Sequence, residues 1–322
     1  MNTKISVVIP VYNEKENIRA VALELGVAFK SSSLTWESIW VDDGSGDGSD
    51  IELKAVLKEL PSARLIRFAR NFGQTAALSA GIQAASGEYI VTMDADLQND
   101  PSDIAALLKT ASEGFDVVSG WRKNRKDALL SRVLPSKIAN FIISKITGVD
   151  LHDYGCTLKI YKASHLKTVE LYGEMHRFLP ALLGYMGATI AELPVNHRLR
   201  LKGRSKYGLI RIFKVTLDLF TVKFMGDFLS KPIYLFGGLS LGLFSASTLM
   251  ATFTLYKKVF EHVFVKDQPL FLVAIFFALA GIQFAFMGLM SEILVRTYYR
   301  STRKPAYVIK ETLVFNPKSS VN

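Results

Sequence analysis

The chain has 322 residues, 49% of them hydrophobic, with a net charge of +10 and one cysteine. The length allows one large domain or two small ones, and the lone Cys156 excludes an intramolecular disulfide. All the excess positive charge lies beyond residue 196 and flanks long apolar runs, which favours an anionic membrane surface over nucleic acid as a partner.

In chain order, "KISVVIP" (4–10) predicts a buried strand and "EKENIRAVALELGVAF" (14–29) an amphipathic helix. "ESIWVDD" (37–43) is a second strand, followed by "GSGDGS" and the helix "DIELKAVLKEL" (50–60). "ARLIRFA" (63–69) is a third strand, "GQTAALSAGIQAAS" (73–86) a helix of small residues, and "GEYIVTMD" (87–94) a fourth strand. A helix opened by Pro101 and a fifth strand, "FDVVSG" (115–120), complete the series. Strands alternating with helices predict an α/β fold with a doubly wound, mostly parallel sheet. The opening strand is too short for a secretory h-region, which suits a cytosolic catalytic domain.

Farther on, 129–148 and 207–229 show helical amphipathicity. In the second, Leu209, Ile212, Phe213, Leu217, Phe220 and Phe224 make one apolar stripe, which fits a helix in the membrane interface or one packed on a soluble core. The run 232–256 holds no charge and 269–295 only Glu292. Each exceeds the ~20 apolar residues that cross a bilayer core. The expected organisation is a catalytic domain over 1–206, an amphipathic juxtamembrane helix over 207–231, transmembrane helices at 232–256 and 269–295, an extracytoplasmic loop at 257–268 and a tail over 296–322.

Doubly wound sheets bind ligands beyond the carboxyl ends of their strands. Pro10, Asp42, Asp43, Asp94 and Asp96 fall at that edge. The loop 41–50, "VDDGSGDGSD", fails as a dinucleotide fingerprint because the third glycine would fall on Ser49. It fails as a calcium loop because the twelfth position is Lys54. A carboxylate there can instead hydrogen-bond a base or ribose. Asp94 and Asp96, one residue apart, can share a hard cation whose remaining positions go to phosphate oxygens and water.

"PVYNE" (10–14), "VDDGS" (41–45), "NFGQTAALSAG" (71–81) and "DADLQNDP" (94–101) resemble the family-2 glycosyltransferases of GT-A fold. "RLRLKGRSKYG" (198–208) matches the R-x-x-G-x-S-K signature of polyprenyl-phosphate glycosyltransferases through Arg200, Gly203, Ser205 and Lys206. "HRFLPAL" (176–182) and the terminal helix pair are similar to the bactoprenol branch. The resemblance implies that Pro10, Tyr12, Glu14, Asp42, Asp94 and Ala95 bind the donor nucleotide. It implies that Asp94, Asp96 and Gln98 surround Mg²⁺ or Mn²⁺, and that Arg122, Arg132, Ser136, Arg200, Ser205 and Lys206 handle the diphosphate and the acceptor phosphate. No Arg-Trp pair occurs, which excludes the Q-x-x-R-W motif of processive synthases.

The expected reaction is inverting transfer of a sugar, glucose from UDP-glucose on the branch resemblance, to a polyprenyl phosphate. GDP-mannose and UDP-linked aminoarabinose are alternative donors, and a membrane-anchored nucleotide-sugar-binding protein is the non-enzymatic alternative. An acceptor phosphate with a second pKa near ~6 is mostly ionised at neutral pH, so no base is obligatory. Asp153 fits either a base or a structural hydrogen-bonding carboxylate. Small residues along both apolar runs, Gly238, Gly242 and Ala246, then Ala274, Ala278, Gly281, Ala285 and Gly288, suit close helix packing within one hairpin or in a homo-oligomer.

Nine Lys or Arg precede the first run over 198–231, five follow the second over 296–310, and three lie between at 257–268. This bias places the domain and both termini in the cytosol. In a Cys156→Ser background, an impermeant thiol reagent on intact cells should modify His262→Cys and spare Asn316→Cys. The reverse labelling inverts the topology.

Overall fold

Runs of Val, Ile and Leu place β1 (Lys4–Val11) and β2 (Thr35–Asp42) at the centre of a sheet, where Ile5, Val7, Ile9, Ile39 and Trp40 are wholly buried. Continuous apolar strands of this kind need cover on both faces, and helices supply it. In this computed structural model, residues 4–30, 34–123, 134–171, 175–198, 219, 221–224, 232–300 and 309–315 are described. β3 (Ala63–Phe68), β4 (Tyr89–Thr92) and β5 (Val117–Trp121) complete the five expected strands.

β6 (Lys159–Lys162), β7 (Ile190–Pro194) and β8 (Ile309–Phe315) join them in one sheet of order β7-β5-β6-β4-β1-β2-β3-β8. β4, β1, β2 and β3 run parallel, and so do β5 and β7. β6 is antiparallel to both β4 and β5. Strands β1 to β5 and β7 therefore all point their carboxyl ends at one edge, where β6 begins.

α1 (Lys15–Lys30) turns Ile18, Val21, Ala22 and Leu25 to the sheet. α2 (Ser49–Val56) packs beside it. α3 (Gln74–Ala84) covers β1 and β2, and a side chain at Gly81 would strike Val8, which accounts for the small residues of this helix. α4 (Ile104–Ser112) buries Ile104, Leu107 and Ala111. The chain continues through α5 (Leu134–Thr147), α6 (Ala163–Leu166) and α7 (Leu179–Tyr185). α5 leaves Phe141 and Ile142 exposed.

The tail contributes a strand that the sequence reading did not assign. Residues 309–315 pair antiparallel with β3, with Leu313 packed on the core and Lys54 paired with Glu311 at 2.7 Å. The compact unit formed by Met1–Val222 therefore also takes in Pro305–Asn322. The second unit, Lys223–Lys304, holds α8 (Ile233–Phe260) and α9 (Pro269–Arg300), both long and apolar enough to cross a membrane. The two helices form a hairpin. Ser240 Oγ donates to the Gly281 carbonyl and Ser247 Oγ to the Ala274 carbonyl at 2.8 and 2.7 Å, and a methyl at 281 would sit 3.2 Å from the Phe244 ring. The small residues of α9 are thus used within the hairpin, whereas Gly238 and Gly242 of α8 face no neighbour among the described residues. The expected juxtamembrane helix over 207–231 lies almost wholly outside those residues.

At the opposite edge of the sheet, Glu37 ties three strand ends together. One carboxylate oxygen accepts from Ser6 Oγ at 2.6 Å and from the Ser86 N–H and Oγ at 2.8 and 2.6 Å. Burial pushes this carboxyl up, but the bonds from Ser6 and Ser86, with Lys4 nearby, hold it below the ordinary value. Its contribution should be present above the unfolded glutamate pKa and lost as the pH falls through the lower folded value. Glu37→Leu orphans buried donors and should remove about 2 kcal/mol at pH 7, a fall of roughly 4–8 °C in the melting midpoint of the detergent-solubilised protein. That deficit should shrink in acid.

Candidate active site

The loops at the carboxyl edge are knitted by side chains that accept backbone N–H groups. After β1, Pro10 is half-buried and Tyr12 is 37% exposed. Asn13 N–H donates to Ser45 Oγ at 2.9 Å, Gly46 N–H returns a bond to Asn13 Oδ1, and Glu14 N–H donates to Ser49 Oγ. Glu14 itself accepts from Asn17 Nδ2 at 2.7 Å. Asp42, expected on the nucleoside, has no exposed surface: it accepts the Ser45 N–H at 3.0 Å and lies 3.4 Å from Arg67 Nε. Here its carboxylate shapes the loop from inside.

Asp43 accepts from the Phe72 and Gly73 N–H groups at 2.7 and 2.9 Å and from Asn71 Nδ2 at 2.9 Å. Burial, reinforced by neighbouring Asp42, lifts its pKa despite those bonds. Gly44, at φ 68°, lies against the Arg70–Asn71 backbone, where a Cβ would collide. The second acidic loop is thereby locked to the third.

Asp94 and Asp96 follow β4. Asp94 Oδ1 accepts from Gln74 Nε2 at 2.8 Å, and Asp96, 6% exposed, accepts the Gln98 N–H at 3.2 Å. Leu97 takes φ 61°, so the backbone turns where two nearby carboxylates need it to. Ala95 between them is buried and Gln98 half-buried. Among the described residues no group of three His, Cys, Asp or Glu could hold a metal on its own. Two carboxylates and one amide oxygen fit Mg²⁺ or Mn²⁺, which complete their shells with water and phosphate.

Arg122 was expected at the acceptor phosphate, and Asp153 as either a base or a structural hydrogen-bonding carboxylate. The structure joins them: Arg122 Nε and Nη2 grip the two Asp153 oxygens at 2.6 and 2.9 Å, and Asp153 is 2% exposed. A buried carboxylate in such a fork orients a guanidinium better than it accepts a proton. The Asp153 loop is fixed in turn by Glu192 of β7, which accepts from the His152 and Asp153 N–H groups at 3.1 and 3.0 Å. Glu192 also pairs with His152 Nδ1 at 2.7 Å, and the imidazole stacks on Trp121.

Beneath that loop, Lys159 donates to the carbonyls of Tyr154 and Cys156, and burial lowers its pKa. Burial pushes the Cys156 thiol up to about 11, which leaves it chemically quiet. His176 of "HRFLPAL" is buried against Thr75 Oγ1 at 2.7 Å; burial, then Arg177 and Lys159, bring it down to about 3, so the imidazole is neutral. The structure thus brings Pro10, Tyr12, Glu14, Asp94, Asp96, Gln98, Arg122 and Asp153 to one edge of one sheet. Ser136 falls in α5 without a described side chain, and Arg132, Arg200, Gly203, Ser205 and Lys206 lie outside the described residues. Gln74, Asn99, Lys159, Glu192 and Arg198 were not singled out from the sequence. Gln74, Asn99 and Arg198 stood inside motifs quoted for their neighbours.

Residues 6–169 match the model of "Glycosyl transferase family 2". A dodecaprenyl-phosphate galacturonate synthase from Rhizobium johnstonii is 41% identical over 320 residues, spanning 98% of this chain and 94% of the relative. An undecaprenyl-phosphate 4-deoxy-4-formamido-L-arabinose transferase from Salmonella choleraesuis is 36% identical over 315 residues, spanning 96% and 94%. Glucosyl-3-phosphoglycerate synthase from Mycobacterium tuberculosis, solved with Mn²⁺ and UDP-glucose, superposes with a TM-score of 0.55 at 18% identity, covering 70% of this chain and 79% of that one. At that identity the likeness concerns the fold, and the fold is the expected GT-A type.

The fork between Arg122 and Asp153 predicts strong coupling. Arg122→Ala and Asp153→Ala should each depress turnover, and the double variant should lose little more than the worse single. The coupling energy in the cycle should exceed about 1 kcal/mol. Additive losses would mean that the two side chains act independently.

Proposed function

Because the chain belongs to glycosyltransferase family 2, we propose that it moves one sugar from a nucleoside diphosphate donor to the phosphate of a membrane polyprenyl phosphate. The observation that carries this reading is the extent of the likeness, which runs through both the sheet unit and the apolar hairpin. A likeness confined to the sheet would support sugar transfer but not a lipid acceptor.

In the proposed reaction an acceptor phosphate oxygen attacks the anomeric carbon from the face opposite the leaving group. The bond from that carbon to the donor diphosphate breaks, the nucleoside diphosphate departs with the electron pair, and the configuration inverts. The attacking phosphate is already ionised, so no proton must be removed. The role left to Asp153 is electrostatic, holding the Arg122 guanidinium in place for an incoming phosphate. Pro10, Tyr12 and Glu14 would line the nucleoside end, with the 42–49 loop shaped from beneath by Asp42. Asp94, Asp96 and Gln98 would hold Mg²⁺ or Mn²⁺, which supplies charge neutralisation to the leaving diphosphate. Arg200 and Lys206 are assigned to phosphate by their signature alone.

The pairing of β8 with β3 supports the expected topology. The hairpin leaves from and returns to a single compact unit, so an even number of crossings brings the chain back to the same side. With the positive-charge bias, that side is the cytosolic one, where sugar nucleotides are made. For the sugar, galacturonic acid replaces the glucose expected from the sequence, because the 41% identical relative is named for it. The aminoarabinose precursor is second, from the 36% identical relative.

Purified full-length protein given undecaprenyl phosphate should release UDP from UDP-galacturonic acid faster than from UDP-glucose or UDP-linked formamidoarabinose. Preference for either of the other donors overturns the sugar assignment, and no lipid product from any donor overturns the acceptor. Excess EDTA or Asp96→Asn should abolish transfer and weaken UDP binding. Full activity in EDTA removes the metal from the account.

A further inference from the structure

Three stretches of the proposed active site meet at residues 98–100. Asn99 is 4% exposed, and its side-chain oxygen accepts two hydrogen bonds, from the Asp94 N–H at 3.2 Å and from Thr157 Oγ1 at 3.0 Å. The first holds the acidic pair after β4, and the second holds the loop that carries Asp153. The backbone of Asn99 forms an antiparallel bridge with His197, and next to it the Arg198 N–H donates to the Gln98 carbonyl at 3.0 Å. Arg198 extends this tie: Nη2 lies 2.7 Å from Asp100 Oδ2, and Nη1 lies 2.7 Å from both Glu24 oxygens. Residues 197–198 lead directly into the basic signature at 200–206.

An amide oxygen has two lone-pair directions, and this one uses both on groups from different loops. No hydrophobic side chain could satisfy the Asp94 N–H and the Thr157 hydroxyl at that buried point. We propose that Asn99 is a positioning residue that sets the donor-side carboxylates against the two acceptor-side segments, acting through its neighbours and touching neither substrate. This rests on the assignment of the two sides made above. The tie holds three loops in register where, among the described residues, no regular strand pairing joins them.

Asn99→Ala breaks both side-chain bonds and should raise KM for the sugar nucleotide and for the lipid phosphate together, by about tenfold each. Asn99→Asp keeps both acceptors and should restore the acceptor KM to within about threefold of wild type. Thr157→Val cuts only the second bond, and Arg198→Ala only the outer tie. Both should raise the acceptor KM while leaving UDP affinity, measured by calorimetry with Mn²⁺ and without turnover, unchanged. A merely structural role would lower the melting temperature and the active fraction and leave both KM values where they were. That result, or an Asn99→Ala variant in which only one substrate is affected, overturns the proposal. If Asn99→Ala does not fold, the contrast between Thr157→Val and Asn99→Asp decides by the same criteria. Should wild type transfer no sugar to lipid phosphate, the functional reading fails, and the UDP affinities of Asn99→Ala and Thr157→Val still judge the donor half of the tie.

Discussion

Carboxylate and amide oxygens that accept backbone N–H groups hold this active-site edge together. Asp42, Asp43, Asp47, Asp96, Asn99 and Asp153 each close or bridge a loop in this way. Loops beyond a parallel sheet lose the ladder that satisfied their donors, and buried N–H groups need replacement partners. Aspartate is short, carries up to four acceptor directions and suits turns. The consequence is electrostatic: a surface built from anions is asked to receive an anionic nucleotide and an anionic lipid. Cations must intervene: in the proposed reaction a divalent ion at Asp94 and Asp96 would supply charge from one direction and the Arg122 guanidinium from another.

The same constraint explains why Asp153 is gripped rather than free. A guanidinium left alone beside the 153–158 loop would swing, at a cost in side-chain entropy, each time a phosphate arrived. Two charge-assisted bonds to Asp153 fix it, and Lys159 braces the 154–156 backbone of the same loop, so in the proposed reaction it would meet the phosphate already oriented. The hairpin is simpler in its demands. Its helices approach where α9 has small residues, and α8 serines bond across the gap to α9 carbonyls. These are the packing devices open to helices in lipid, where burial itself gives no preference for a partner.

Much of this was legible in the sequence because strong periodicity and turn chemistry coincide there. The strands from Lys4 to Trp121 are continuous apolar runs ending in polar loops, so their existence and the edge they share could be read directly. β6 could not be, since its buried Lys159 breaks the apolar pattern, and β8 could not, since a strand after a basic tail is stable only through pairing with distant β3. Asp42 shows the limit at the site. Its position at a strand end was readable, but whether its carboxylate faces a ligand or the protein depends on Ser45 and Arg67, which only the fold brings near. Asn99 and Glu192 act on backbone groups of other loops, and no local spacing encodes such contacts.

The proposed transfer is an attack by a phosphate oxygen, without a base, on an inverting path. The linkage and anomeric configuration of the purified lipid product test it most directly, by phosphorus and proton magnetic resonance. The expected product is a single phosphodiester bonded to the sugar's anomeric carbon, with configuration opposite to that of the donor and release of an intact nucleoside diphosphate. A diphosphate linkage with release of a nucleoside monophosphate, or a product that retains the donor's configuration, would contradict it.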